Sequence, residues 1–255
     1  MTDEVLSGGG VTPVVRRGDA VHRTRGPHSD RVAALLVHLW ERGFRAAPRY
    51  LGLDEVGREV LAYLPGEVGR YPLPQRLRDE RAVISAARLL REYHDHTADV
   101  ARSWPGGWML PEREPVEVIC HGDFGPHNCV YDDGRVVGII DFDTAHPGPR
   151  AWDIAYALYR FAPLSRAPEG GGEPIERQAA RARQFCDGYG PFDRTGLVGL
   201  VADRLRALVA FMRTEADRGN AAFAGHIADG HDRLYLRDID YVEANADLLT
   251  RTLSG

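Results

Sequence analysis

The sequence predicts an α+β fold in two lobes: a small, sheet-rich N-terminal lobe over residues 1–67, and a larger, mainly helical C-terminal lobe over residues 68–255 with one embedded β-hairpin. Three observations lead there. Before residue 67, apolar residues come in short alternating runs bounded by turn signals, the pattern of half-buried strands. Beyond it they recur every three or four positions over long stretches, the pattern of amphipathic helices. At the join, Pro65-Gly66-Glu67 breaks both periods.

Val14 and Val15, the turn Arg17-Gly18-Asp19, and Ala20 to Arg23 read as strand, turn, strand. Ser29 then N-caps a helix on which Val32, Leu35, Leu36, Leu39 and Trp40 share a face, and Gly43 closes it. Residues 48–64 alternate about a turn from Asp54 to Gly57 and form a second hairpin. In the second lobe, residues 75–98 make a helix with Leu77, Val83, Ile84, Ala87, Leu90 and Tyr93 on one face, and residues 103–115 a loop. Residues 151–162, 174–188, 195–217 and 232–252 complete the helices, separated by breaks such as Glu169-Gly170-Gly171-Gly172. A cleft between two such lobes is the natural place for a ligand.

The 255 residues are 44% hydrophobic and 27% charged, a balance that excludes a disordered chain. A formal charge of -5 leaves no basic stripe for nucleic acid, so none is expected as a partner. No run reaches the roughly 20 apolar residues of a membrane span, and the opening MTDEVLSGGG lacks the basic-then-apolar order of a signal peptide. The expectation is a cytoplasmic protein without membrane contact, monomeric or homodimeric. All 32 basic residues counted as Lys+Arg are arginine, so no mechanism can run through a lysine side chain. Cys120, Cys129 and Cys186 are isolated and read as inert thiols in a reducing compartment.

The chemistry concentrates in residues 118–143, VICHGDFGPHNCVYDDGRVVGIIDFD. Cys129-Val130-Tyr131 and Val136 to Ile140 flank Asp132-Asp133-Gly134, a strong hairpin signal. Closing that hairpin brings Asn128, before its first strand, beside Asp141, after its second. An amide oxygen next to a carboxylate offers hard ligands suited to Mg²⁺. Asp123 stays free to face an incoming hydroxyl, as phosphoryl transfer requires.

His121-Gly122-Asp123-Phe124-Gly125-Pro126-His127-Asn128 resembles the catalytic loop of the aminoglycoside phosphotransferase and choline kinase-like family, relatives of the protein kinases. Ile140-Asp141-Phe142-Asp143 looks like that family's metal segment, and Gly148 to Ala155 is similar to the segment that follows it. The likeness at motif level covers about residues 118–160. It implies a protein-kinase-like fold, Mg²⁺ as cofactor, ATP or GTP as co-substrate and a small hydroxyl-bearing acceptor. By position, Asp123 would be the base or hydroxyl-orienting residue, with His121 bracing the catalytic loop. Asn128 and Asp141 would hold Mg²⁺, Asp143 would serve a second metal or the loop, and Asp153 would cap a helix and brace the loop from behind.

The front lobe departs from the family. Such kinases hold the α and β phosphates with a lysine on the third strand, paired with a glutamate of the next helix. Here Arg23 is the expected replacement, ahead of His22 and Arg25, and the helix offers no acid except Asp30 and Glu41 at its ends. Ser7 to Val15, with Gly9, Gly10 and Thr12, would be the phosphate-covering loop, although it lacks the full G-x-G-x-x-G form.

Other readings compete. A metallohydrolase built on His121 and Asp123 would need more histidines, and only His127 and His146 lie close in sequence. His94 and His96 read as a solvated helix end more readily than as a metal pair. Asp203, Glu215, Asp217, Asp229, Asp232, Asp238 and Asp240 read as a solvated face sooner than as an acidic pocket for a cationic acceptor. The alternative function is a non-catalytic binding or immunity protein on the same fold. APRYLGLDEVGREVLAYLPGE looks like the branch of the family that includes trifolitoxin-immunity-type proteins.

Overall fold

The computed structural model describes residues 4–6, 14–166 and 172–254. Its first sheet holds β1 (Glu4–Leu6), β2 (Val14–Arg17), β3 (Ala20–Arg23), β4 (Tyr50–Leu53) and β5 (Glu59–Ala62), antiparallel throughout in the order β1-β2-β3-β5-β4. The first of these was not expected from the sequence. Asp54 ties the β4–β5 turn, its carboxylate accepting the N–H groups of Val56 and Arg58. Between β3 and β4 lies α1 (Ser29–Glu41), which buries Val32, Leu35, Leu36 and Leu39. Ser29 is its first residue and not its cap: His28 precedes the helix, and the Ser29 hydroxyl accepts the Gly26 N–H at 2.9 Å.

The chain then leaves this sheet. β6 (Glu67–Val68) pairs with β8 (Cys129–Asp132), which pairs with β9 (Arg135–Ile139), giving the order β6-β8-β9. Asp133 and Gly134, both at positive φ (45° and 71°), make the tight turn that sets the β8–β9 register. A third, two-stranded sheet joins β7 (Val118–Cys120) to β10 (His146–Gly148).

Around these strands pack α2 (Glu80–Thr97), α3 (Arg150–Phe161), α4 (Ile175–Tyr189), α5 (Leu197–Asp217), α6 (Ala221–Ala228), α7 (His231–Ala244) and α8 (Ala246–Ser254). Asp79 caps α2 by accepting the Ala82 N–H at 3.0 Å. Its inner face carries Val83, Ala87, Leu90 and Tyr93 against α4 and β9. Fully burying a side chain of this size is worth roughly 1.5–3 kcal/mol, and one continuous apolar cluster runs from Leu35 and Leu39 through Leu90 to Phe185.

Three helical expectations change. The stretch 75–98 is a single 3-10 turn, Gln75–Leu77, followed by α2, because the Asp79 cap starts the helix at Glu80 and leaves Leu77 outside it. The stretch 232–252 is two helices, because the Asn245 amide turns back to the Tyr241 carbonyl at 2.8 Å and ends α7. The eight-residue α6 was not expected; AAFAGHIA is apolar nearly all round and too short to show a helical period.

Candidate active site

The chain enters the site from β7 and leaves it into β8, so residues 121–128 form a loop between two sheets. A helix fixes its backbone from behind. Asp153, fully buried in the first turn of α3, accepts the N–H of His121 at 2.6 Å and of Gly122 at 3.0 Å. It braces the loop as expected but caps nothing, since α3 has no side-chain cap. His94 Nε2 donates to the same carboxylate at 3.1 Å, and His94 Nδ1 meets the Tyr189 hydroxyl at 2.7 Å. His94 is therefore a buried strut and not a solvated helix end. Burial works to raise the Asp153 carboxyl, but the bond and charge of His94 and the loop N–H groups hold it down to about 2.

At Gly122 the loop presses on the metal segment. Its φ is +82°, and a Cβ there would lie 2.3 Å from the Thr144 carbonyl oxygen, so only glycine fits. Fully buried His121 spends both ring nitrogens on backbone: Nδ1 accepts the Asp123 N–H at 3.3 Å and Nε2 donates to the Ile140 carbonyl at 3.1 Å. Burial lowers its pKa, favouring the neutral ring this pattern needs.

Asp123 points the other way. Its carboxylate, 31% exposed, accepts Asn128 Nδ2 at 2.9 Å and His127 Nε2 at 3.2 Å, with a further bond from the Tyr156 hydroxyl. Enclosure works to raise this carboxyl, yet the His127 and Tyr156 contacts outweigh it and hold the group well below the usual carboxylate range. His127 and Tyr156 were missed as partners of Asp123. One was weighed only as a hydrolase ligand, and the other reads as core from its helical spacing.

The hairpin does what its turn implies. Cys129 pairs with Ile139, and the Ile140 N–H donates to the Asn128 carbonyl at 2.9 Å, setting Asn128 and Asp141 side by side. Both Nδ2 bonds of Asn128 go to Asp123, to its carboxylate and its carbonyl, so the amide oxygen is turned away and available to a cation. Asp141 sits at φ +64°, a strained conformation for a non-glycine residue. Partial enclosure of a side chain that is still 54% exposed, together with the charges of Asp143 and Asp123, pushes its carboxyl up to about 6. Surplus negative charge beside two hard oxygen donors fits a hard divalent cation, which would lie on Asn128 and Asp141.

Asp143 is drawn to the first lobe, where Arg23 Nη2 holds it at 2.7 Å. Arg23 Nη1 lies 4.0 Å from Asp141, and Arg23 Nε donates to Glu59 at 2.8 Å. Burial opposes the Arg23 charge, but Asp143, Glu59 and Asp141 prevail and raise its pKa. The cation's glutamate partner thus comes from the neighbouring strand β5, where Glu59 pairs with Arg23 in register, and not from α1. The other two candidates are engaged elsewhere, His22 with Asp54 at 2.9 Å and Arg25 with Asp30. Gly9, Gly10 and Thr12 lie outside the described residues.

No group of three His, Cys, Asp or Glu suited to a metal occurs among the described residues, and His146 is spent on the Thr144 carbonyl, which leaves the metallohydrolase reading without ligands. The distal acids gather neither in one acidic pocket nor on one solvated face: Asp203, Glu215 and Asp232 pair with Arg206, Arg218 and Arg213, buried Asp238 bonds Tyr159, and Asp217, Asp229 and Asp240 are exposed. No helix among the described residues is long and apolar enough to cross a membrane.

A small sheet whose Arg23 meets Asp141 and Asp143, a helical body, and a hairpin-set Asn–Asp pair are the parts of a kinase-like phosphotransferase fold. Residues 108–197 match the family model described as "Phosphotransferase enzyme family". The chain is 37% identical over 203 residues to the trifolitoxin immunity protein of Rhizobium leguminosarum bv. trifolii, covering 74% of this chain and 75% of that one. It is 29% identical over 193 residues to an aminoglycoside 3′-phosphotransferase of Streptomyces fradiae, covering 69% and 68%. The crystal structure of a macrolide 2′-phosphotransferase from Brachybacterium faecium superposes with a TM-score of 0.62 at 16% identity, over 87% of this chain and 88% of that one, and shares its fold. The chain belongs to the phosphotransferase enzyme family.

Proposed function

We propose that this protein transfers the γ-phosphoryl group of ATP or GTP to a hydroxyl of a small molecule, with Asp123 orienting that hydroxyl. The observation that carries the reading is the division of Asn128: its amide nitrogen fixes Asp123, while its oxygen is left for a cation next to Asp141. Mg²⁺ on Asn128 and Asp141 would supply charge neutralisation of the phosphates.

Held well below its usual pKa, Asp123 is a poor proton acceptor in the resting state and a good hydrogen-bond acceptor. That suits a loose transition state, in which the acceptor oxygen bonds to phosphorus as the bond to the nucleoside diphosphate oxygen breaks, and the hydroxyl proton, made acidic by the new bond, passes late to the Asp123 carboxylate. Asp123 then needs chiefly to aim the oxygen lone pair, and His127 and Tyr156 fix the aim. Arg23, in exchange for Asp143, would meet the phosphates with a planar fork.

The non-catalytic alternative is less well supported, because the base, amide and carboxylate positions are all filled. A screen of hydroxyl compounds with ATP or GTP and Mg²⁺, scored by an 80 Da-scale mass gain typical of phosphorylation (about 80 Da), tests the proposal. Transfer that disappears in Asp123→Asn supports it; transfer undiminished in that variant overturns it.

A further inference from the structure

Arg160 lies on α3 one helical turn beyond Tyr156, whose hydroxyl bonds Asp123. Its guanidinium carbon sits 4.6 Å over the Tyr71 ring and 5.7 Å over Tyr159. Its Nε is buried with no hydrogen-bond partner, and among the described residues no carboxylate forms an ion pair with it. Asp238, which lines the same cavity as Arg160, is spent on the Tyr159 hydroxyl at 2.7 Å, and burial pushes its carboxyl up toward the neutral form. The surrounding rings favour the charged guanidinium, while its buried Nε edge is left without an acceptor that an anion could supply.

Arg160 also fronts a cavity of about 70 Å³, lined by Tyr71, Tyr159 and Pro126 among others. The cavity has room for more than one water-sized group and therefore for a carboxylate. Pro126 belongs to the loop that carries Asp123. The same loop touches Arg160 directly, for the Cβ position of Gly125 falls 3.2 Å from Arg160 Cγ and 2.8 Å from the ring of His127. Tyr156 and Tyr235 lie within electrostatic reach of both Arg160 and Asp123.

We propose that the acceptor carries a carboxylate as well as its hydroxyl, the carboxylate seated on Arg160 while the hydroxyl meets Asp123. This rests on the phosphotransferase reading and names its acceptor class. Arg160 sits over Tyr71, the Tyr71 ring lies 6.1 Å from that of His127, and His127 bonds Asp123, so a short flexible chain joins the two groups of the acceptor. A polycationic acceptor would face an unpaired guanidinium, which disfavours aminoglycosides.

The test compares 4-hydroxybutyrate with 1,4-butanediol, which differ in the carboxylate, and with kanamycin, each with ATP or GTP and Mg²⁺. A charge-assisted bond of ordinary strength predicts kcat/KM at least about 10-fold higher for 4-hydroxybutyrate than for the diol, and a ratio that falls toward one in Arg160→Gln. Equal values for the two in the wild-type protein, or a preference for kanamycin, would overturn the inference while leaving phosphoryl transfer standing. Melting curves separate the remaining case. If no compound is phosphorylated, yet 4-hydroxybutyrate raises the wild-type Tm and 1,4-butanediol does not, the carboxylate seat holds and the phosphotransferase reading falls.

Discussion

Arg23 and Glu59 face one another across the β3–β5 ladder, Nε to Oε2 at 2.8 Å, with the Glu59 side chain 2% exposed. The cation of the first lobe is thereby held by the sheet it stands on. Moving α1 would not release it, whereas a change of strand register would. Removing Arg23 leaves Glu59 as a buried charge without its partner. Arg23→Ala should therefore lose about 3–5 kcal/mol of stability in urea titrations. Glu59→Gln keeps an acceptor oxygen and should lose only about 1–3 kcal/mol, while letting Arg23 swing wholly to Asp143 and weakening nucleotide binding. Equal destabilisation by the two variants would contradict this picture of the pair.

Asp123→Asn preserves shape and one hydrogen-bonding oxygen but removes the charge that receives Asn128, His127 and Tyr156. Turnover should drop by a factor of about 100 or more, with the nucleotide-induced Tm shift nearly unchanged, since Asp123 touches neither Arg23 nor Asp143. A drop in turnover matched by loss of that shift would instead mean that the loop had collapsed.

The pH profile of stability should depend on the divalent cation. The folded pKa of Asp141, about 6, is above its unfolded value. Its contribution is thus fully present below about pH 4 and lost as pH rises through 6. Thermal melts without divalent ions should show that decline between pH 4 and 6.5, and 10 mM-scale Mg²⁺ (roughly 10 mM) should flatten it by favouring the ionised form. A decline unaffected by Mg²⁺ would remove Asp141 from the candidate ligands.

Asp153 runs in the opposite sense. Its folded pKa, about 2, is depressed, so its stabilisation is complete above the unfolded value near 4 and is lost as pH falls through 2. The shift corresponds to roughly 2 kcal/mol. Asp153→Asn should abolish that acid-sensitive component in denaturant titrations between pH 2 and 5, and should also cost turnover, because the His121 and Gly122 N–H groups lose their common acceptor.

The hairpin was legible because turn chemistry is local: Asp133-Gly134 fixes the register, and the register puts Asn128 beside Asp141. Glu59 was not, because its pairing with Arg23 spans 36 residues and depends on the strand order β3-β5-β4, which alternation alone leaves open. One signal was present: Glu59 is in phase with Leu61 on the buried face of its strand, and an acid there calls for a counter-charge. His94 is a similar case. Its partners Asp153 and Tyr189 lie 59 and 95 residues away, so a buried strut and a solvated helix end look alike in sequence.

That strut has a consequence for how the protein tolerates change. The loop that carries Asp123 is held through a relay in which Arg150 holds Tyr189, Tyr189 meets His94, His94 holds Asp153, and Asp153 holds the loop; under the proposed function that relay sets the position of the reacting carboxylate. Three helices, α2, α3 and α4, contribute one or more members. Substitutions such as Tyr189→Phe, remote from any ligand, would act as tuning screws on chemical rate before they register as loss of fold. Sequence drift in the helical body is thereby coupled to catalysis, and selection on activity would police positions that never meet a substrate.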